Sequence, residues 1–137
     1  MISSPGPELD RVQASEGVRT IAVPMARAIR PKEDAVSLAR LLPVLRGLRP
    51  DIVNASTPKA GLLGMIAART LRVPVRVYLM RGLRLETTTG NLRRILSATE
   101  RLTAACAQTV VCNSRSLREA AVGGGHVPAS KARLVGE

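Results

Sequence analysis

Short apolar segments alternate with segments of helical periodicity along this 137-residue chain. Five apolar segments have the length and residue types of strands: RTIAVPM (19–25), DIVN (51–54), VPVRVYLM (73–80), QTVVCNS (108–114) and ARLV (132–135). Apolar residues three and four apart mark the helices between them, as in SLARLLPVL at 37–45. Because such helices cross over a parallel sheet, the order predicts an α/β fold with helices on both faces of the sheet. Ligands of such sheets bind beyond the carboxyl ends of the strands.

The residue types available for the core are few. Aromatic residues make up 1% of the chain, and its single aromatic residue is a tyrosine, although hydrophobic residues reach 45%. The core must therefore consist mainly of Leu, Val, Ile, Ala and Met. This composition favours close packing of helices on a sheet.

The formal net charge of +11 indicates an anionic partner or a solvated basic surface. Single-strand binders usually stack bases on several aromatic side chains, whereas this chain has one tyrosine, and its arginines are scattered rather than grouped. We therefore expect no nucleic-acid partner. Attraction to an anionic membrane surface and an ordinary solvated surface both remain open.

The cysteines and the histidine bear on redox and metal chemistry. Cys106 and Cys112 lack the CxxC spacing, so we expect two reduced core residues in a cytoplasmic protein. His126 is the only histidine, which excludes a multi-histidine metal site, and we expect neither a metal nor a cofactor. The GGGH segment at 123–126 follows a helix, so it predicts a flexible loop rather than a dinucleotide-binding turn. No apolar run approaches the roughly 20 residues that span a bilayer.

The helices carry signals for their ends and faces. Gly17 is expected to end the first helix, and Ser116 with Glu119 is expected to form a capping box. The helix at 92–107 should be strongly amphipathic. Its predicted inner face contains Leu92, Ile95, Leu96, Thr99, Leu102, Thr103 and Cys106. Its predicted outer face contains Arg93, Arg94, Ser97, Glu100 and Arg101.

The segment DIVNASTPKAGLLG at 51–64 joins a predicted strand, which ends at Asn54, to a predicted helix. Thr57 can cap the helix by accepting a backbone hydrogen bond, and Pro58 suits the first helical position. Lys59 adds a charge where the helix dipole is already positive, so the turn favours an anionic or polyhydroxylated ligand. The alternative is an ordinary cap with a lysine in water. Ser114, after the QTVVCN strand, is a further expected N-cap that faces the same edge.

Four ordered segments resemble the N-terminal domain of family-4-type glycosyltransferases of the GT-B fold. They are DIVNASTPKAGLLG (51–64), RVPVRVYLMRGLRLE (72–86), ATERLTAACAQTVVCNSRSLRE (98–119) and VPASKARLV (127–135). The resemblance covers nearly the whole chain. It implies a Rossmann-like domain and an enzyme that transfers a sugar from a nucleotide sugar to a glycan or lipid-linked acceptor in bacterial polysaccharide biosynthesis.

The resemblance also implies an acceptor-binding cleft at the strand ends. Its expected residues are Asn54, Thr57, Lys59, Arg81, Arg84, Glu86 and Ser114. Relatives commonly have a histidine where this chain has Arg81. A guanidinium stays protonated and cannot accept a proton, so Arg81 is expected to anchor a phosphate or carboxylate, and the catalytic residue stays unassigned.

Two departures from the family pattern lead to expectations about domain organisation. Residues 1–137 are expected to form one partial acceptor-side domain, without the usual first strand and without the C-terminal donor-binding domain. The segments at 19–25 and 51–54 should therefore share no continuous ladder. We expect the chain alone to be marginally stable and inactive in sugar transfer.

A non-catalytic role is the alternative. The arginine-rich helix at 92–106 suits a basic module that docks on an anionic membrane surface or a partner subunit. The two interpretations are compatible, because a cytoplasmic enzyme on the inner face of the cell membrane would use the same helix.

Overall fold

The computed structural model describes residues 1–26, 30–83 and 88–136. Strands and helices alternate along it, which confirms the predicted α/β class. The elements are β1 (Ile2–Ser3), α1 (Pro7–Glu16), β2 (Ile21–Ala22), α2 (Pro31–Leu48), β3 (Ile52–Ser56), α3 (Pro58–Thr70), β4 (Val75–Met80), α4 (Gly90–Cys106), β5 (Thr109–Cys112), α5 (Arg115–Gly123) and β6 (Ala132–Leu134).

The strands form two parallel sheets. Four strands pair in the order β3-β4-β5-β6, and β1 pairs with β2 in a separate two-stranded sheet. Within the described residues no ladder joins β2 to β3, so the expectation for these two segments is confirmed. The four-stranded sheet follows chain order, with all its strands parallel, as crossover helices require.

The core lies in two clusters of hydrophobic residues. The larger one is built around Tyr78, Met65, Met80 and Val110, between the four-stranded sheet and the helices packed on it. The smaller one packs α2 and α3 against Val23, the residue that follows β2. Its buried members on the helices are Leu41, Leu45, Leu63 and Ala67. Both cysteines are buried and free, as expected for reduced core residues.

The single tyrosine connects three elements. The ring of Tyr78 on β4 lies against Gly61 of α3, where an added Cβ would stand 2.4 Å from Tyr78 Cε2. Its hydroxyl donates a hydrogen bond to Glu100 Oε2 of α4 at 3.2 Å. Burial raises the pKa of Glu100, and this hydrogen bond partly opposes the rise. The absence of a side chain at Gly61 therefore allows a buried polar contact that links β4 to α4.

The predicted faces of α4 are partly wrong. Leu92, Ile95 and Leu102 are about half exposed, whereas Glu100 is only 5% exposed. The buried side includes Thr103, which was assigned correctly. The prediction placed every charged residue outside, but the Tyr78 hydroxyl lies in the core and needs a polar partner there. Glu100 supplies that partner, so the buried face is rotated toward it.

The helix ends show two correct assignments and one wrong one. Gly17 has the left-handed conformation (φ 63°) and ends α1, as expected. Ser114 is the N-cap of α5, since its Oγ accepts a hydrogen bond from Leu117 N at 3.2 Å. Ser116 lies inside the first turn, so the predicted Ser116–Glu119 capping box is wrong.

Basic side chains cover the end of α4. They donate hydrogen bonds from Lys131 Nζ to the carbonyls of Ala104 (2.9 Å), Ala105 (3.3 Å) and Ala107 (2.7 Å), from Arg69 Nη1 to Ala105 (2.7 Å), and from Arg76 Nε to Cys106 (2.8 Å). The last carbonyls of a helix lack partners within the helix and carry the negative end of its dipole. Three cations from other elements satisfy both requirements here.

Candidate functional site

Three neighbouring strands of the larger sheet end at one edge. β3 ends at Ser56, β4 at Met80 and β5 at Cys112, and the register pairs Ser56 with Leu79 and Met80 with Cys112. The residues that follow the three strands therefore leave the sheet side by side. This carboxyl edge is where ligands of open parallel sheets bind.

Thr57 leaves β3 in an unusual conformation. Its φ of 72° and ψ of 148° lie in a region that is unfavourable for a β-branched residue. Its side chain makes no capping hydrogen bond, so the predicted cap is wrong. N-cap side chains reach the free N–H groups from an extended backbone, which Thr57 does not have. Pro58 does occupy the start of α3, as predicted.

Lys59 pairs with a residue that the sequence did not indicate. Its Nζ lies 2.5 Å from Asp34 Oδ1, and the two side chains are only 13% and 16% exposed. The carboxylate comes from the first turn of α2 and compensates the lysine charge at the start of α3. The alternative of a lysine side chain in water is therefore wrong. A role of Lys59 in binding stays a prediction.

Asn54 lies inside β3 rather than after it. The strand continues to Ser56, and Asn54 is opposite Val77 of β4 in the parallel register. The predicted strand end at Asn54 is therefore wrong by two residues. Val53 and Ala55, on either side of it, pack against the core. Because successive strand residues point to opposite faces of the sheet, Asn54 faces away from the core and is exposed.

Arg81 and Ser114 lie at the same edge, after β4 and β5. Asn113 Nδ2 approaches the carbonyl oxygen of Arg81 at 3.5 Å, which links the two loops. The Ser114 hydroxyl is used in capping α5 and lies 3.2 Å from Ser116 Oγ. Asn113 was not among the expected site residues, although its position at the end of a strand is a usable signal. Arg84 and Glu86 lie outside the described residues.

A second feature is an open cavity of ≈ 930 Å³ along α4 from Gly90 to Arg101. Its lining contains Gly90, Asn91, Arg93, Arg94, Ser97, Ala98 and Arg101. The end of α4 meets Arg76 near the amino end of β4, so the start of α4 lies toward the carboxyl edge. The cavity therefore begins toward the carboxyl edge and continues along α4, where three arginines line it.

His126 borders the same part of α4. Its Nδ1 lies 3.2 Å from Ser97 Oγ. Partial burial and the nearby charges of Arg101 and Arg93 lower the pKa of His126. The imidazole is therefore neutral at pH 7 and can accept or donate a hydrogen bond according to its tautomer. No sequence pattern indicated this contact, because the two residues are 29 positions apart.

Solved structures with the same fold define the class of this domain. A UDP-N-acetylglucosamine 2-epimerase from Rickettsia bellii matches 97% of this chain with a TM-score of 0.67 at 14% identity, using 36% of its own length. Acinetobacter baumannii MurG matches 97% with a TM-score of 0.63 at 13% identity, using 34% of its length. MnaA from S. aureus, solved with UDP, matches 99% with a TM-score of 0.63 at 15% identity, using 42% of its length. The chain therefore has the α/β fold of one part of such GT-B-type proteins.

Sequence comparison then places the chain in a family. Residues 2–136 match the Glycosyl transferase 4-like domain, and the chain belongs to this family. It is 37% identical over 118 residues to the capsular polysaccharide biosynthesis glycosyltransferase CapM of Staphylococcus aureus, which covers 86% of this chain and 30% of CapM. It is 33% identical over 109 residues to an Escherichia coli UDP-Gal:alpha-D-GlcNAc-diphosphoundecaprenol alpha-1,3-galactosyltransferase, covering 78% of this chain and 28% of that enzyme. The chain spans less than a third of either relative.

The helices give one further finding on membranes. Across residues 1–26, 30–83 and 88–136, no helix combines the length and the apolar character that crossing a bilayer requires.

Proposed function

We propose that this chain is the acceptor-side domain of a glycosyltransferase that transfers a sugar from a nucleotide sugar to a glycan or lipid-linked acceptor in bacterial polysaccharide biosynthesis. Membership of the glycosyltransferase family supports the reaction class. The names of the two relatives support the pathway and the kind of acceptor, since one acts on a diphosphoundecaprenol-linked sugar. We further propose that residues 1–137 are one partial domain and that the donor sugar nucleotide is held by a second domain.

The observation that carries the proposal is the shared carboxyl edge. Thr57, Arg81 and Ser114 follow three adjacent parallel strands and meet the solvent there. Arg81 offers a planar fork of donors that fits a phosphate or carboxylate in two-point contact. Asn54, exposed in β3, and Ser114 offer neutral groups that suit sugar hydroxyls. In this proposal the edge binds and orients the acceptor, while proton transfer belongs to a residue elsewhere.

The Lys59–Asp34 pair has a positioning role in this proposal. It joins the first turns of α2 and α3 beside the edge, at 2.5 Å between Nζ and Oδ1. The ammonium group of Lys59 is a donor of the kind that sugar oxygens accept. The pair then fixes the direction of that donor.

Calorimetric titration with a soluble acceptor analogue tests the proposal. The probe is N-acetylglucosamine linked through a diphosphate to a short prenyl chain. Arg81→Gln should weaken its binding by about tenfold, the loss of one charge-assisted contact. Arg46→Gln removes the same charge from an exposed position on α2 and should leave binding unchanged. Equal effects of the two substitutions, or no binding by the original chain, would refute the proposed acceptor site.

A second role, docking on an anionic membrane, is supported by the exposed side of α4. Leu92, Ile95 and Leu102 are each close to half exposed, and three arginines lie beside them. Apolar side chains beside basic ones are the pattern of helices that lie in the membrane interface. We propose peripheral binding to the inner face of the cell membrane, with the enzyme in the cytoplasm.

Vesicle sedimentation separates this role from plain solubility. The chain should sediment with vesicles of phosphatidylglycerol and much less with phosphatidylcholine. Replacing Ile95 and Leu102 together by serine should reduce binding, whereas Val18→Ser, at another exposed apolar residue, should not. If vesicle binding is unchanged by the Ile95 and Leu102 substitutions, α4 is not the element that binds the membrane.

A further inference from the structure

We propose that the part of α4 from Gly90 to Arg101, with the loop before β6, forms a binding site for a phosphate or diphosphate group. The arginines of this site are Arg93, Arg94 and Arg101, and its neutral groups are Ser97 and His126. The inference deepens the proposed function by naming a ligand group and its location. It rests on the proposed function only for the identity of the molecule that carries the phosphate.

The spacing of the residues gathers them along one side of the helix. Positions 93, 97 and 101 are four residues apart, so Arg93, Ser97 and Arg101 form a row. Arg94 lines the same ≈ 930 Å³ cavity from the adjacent position. The surface over these residues is open and leaves room for a diphosphate, and the guanidinium fork matches phosphate oxygens in two-point contacts.

The charges of this row are not compensated within the described residues. The described ion pairs are Arg11–Glu8, Arg30–Glu33 and Lys59–Asp34, and none includes an arginine of α4. Arg93 and Arg94 are adjacent and Arg101 lies about two turns further along the helix, so three like charges on one stretch of α4 repel each other. An anion that binds between them removes this repulsion and gains charge-assisted hydrogen bonds.

The glycines of the GGGH loop allow the histidine to approach. A Cβ on Gly124 would lie 2.7 Å from His126 Nε2, so only glycine leaves room for the ring in this position. Gly125 has a φ of +66°, which favours glycine, and a Cβ there would lie 3.8 Å from Arg101 Nη2. The loop therefore holds His126 against Ser97 and close to the arginine row.

His126 also provides the readout, because it is the only histidine and gives a single imidazole NMR signal. Partial burial and the charges of Arg101 and Arg93 lower its pKa, as described above. Inorganic pyrophosphate should shift this signal saturably and raise the pKa of His126, since a bound anion offsets the arginine charges. The double substitution Arg93→Gln with Arg101→Gln should weaken pyrophosphate binding by about tenfold or more.

Controls distinguish a site from general attraction to a basic protein. Arg46→Gln, outside the cavity, should leave the pyrophosphate titration unchanged. Replacing Arg93 and Arg101 by lysine keeps the charge but removes the guanidinium fork, and should restore binding only in part. A pyrophosphate titration without a saturable shift, or one that survives the double glutamine substitution, would overturn the site.

Competition identifies where the phosphate comes from. If vesicles of phosphatidylglycerol displace pyrophosphate and vesicles of phosphatidylcholine do not, the site takes a lipid headgroup. If neither displaces it, the site takes the diphosphate of a soluble or carrier-linked ligand. Both outcomes support the site. The Arg81 titration tests the sheet edge separately, so failure of one experiment is distinguishable from failure of the other.

Discussion

The two ends of α4 use basic residues in opposite ways. At its carboxyl end, Lys131, Arg69 and Arg76 come from other elements and donate hydrogen bonds to main-chain carbonyls. At its amino end, Arg93 and Arg94 belong to the helix itself and line an open cavity. The carboxyl end also packs through buried residues, among them Thr103 and Cys106, whereas Leu92 and Ile95 near the start are exposed.

This difference separates structural cations from cations available to a ligand. A net charge of +11 alone does not distinguish them. Arginines that satisfy helix carbonyls contribute to stability and are not available for a partner. Arginines on an open cavity contribute little to stability and are the candidates for binding. We call the carboxyl end of α4 the anchored end and its amino end the free end. We expect substitutions at the anchored end to change stability, and substitutions at the free end to change binding.

The largest stability effect should come from Gly61→Ala, which disturbs the anchored end through Tyr78. The new Cβ would lie 2.4 Å from the buried Tyr78 ring, which cannot move away without disturbing Glu100. We expect a loss of about 1–3 kcal/mol in the free energy of unfolding, measured by urea denaturation. Gly47→Ala in α2 meets no atom within 4 Å and should instead gain about 0.5–1 kcal/mol. Similar losses in both variants would contradict the close packing of Tyr78 on α3.

The next effect should come from Lys131→Met, which removes the bonds to three carbonyls at the end of α4. We expect a loss of about 1–2 kcal/mol in the free energy of unfolding, because partly buried carbonyls lose their partner. Arg94→Met, at the exposed free end, should change it by less than about 0.5 kcal/mol. The comparison of the two ends fails if the Arg94 substitution destabilises the protein as much as the Lys131 substitution.

A smaller effect should depend on pH. Burial raises the pKa of Glu100 above its unfolded value of about 4.3, so folding disfavours the ionised carboxylate. The stability that the protonated form provides is complete below that unfolded value and is lost as pH rises through the raised folded pKa. Glu100→Gln does not titrate and can still accept the Tyr78 hydrogen bond. Its stability should therefore exceed that of the original chain at neutral pH and vary less with pH.

Denaturation at several pH values between 4 and 8 measures this effect. The exposed Glu119→Gln on α5 is the matched control and should keep the original profile. A Glu100→Gln variant that is less stable at neutral pH would show that the ionised carboxylate stabilises the fold.

The sequence predicted those features that depend on local pattern. The alternation of strands and helices, the end of α1 at Gly17 and the cap at Ser114 each follow from residues close together in the chain. The contacts that define the site join distant elements. Lys59 and Asp34 are 25 positions apart, and Glu100 was assigned to the outer face because its partner Tyr78 lies on another element. The conformation of Thr57 could not be predicted either. Threonine is an ordinary capping residue, but at the end of β3 its backbone does not adopt the extended conformation that capping needs.

Backbone amide NMR shifts on binding of the prenyl-diphosphate N-acetylglucosamine probe show where the acceptor lies on the domain. We expect shifts that cluster at Thr57, Arg81, Asn113 and Ser114, with a second group at the start of α4. Shifts that cluster instead at the opposite edge of the sheet, around Arg49, Asp51 and Arg72, would contradict an acceptor site at the carboxyl ends of the strands.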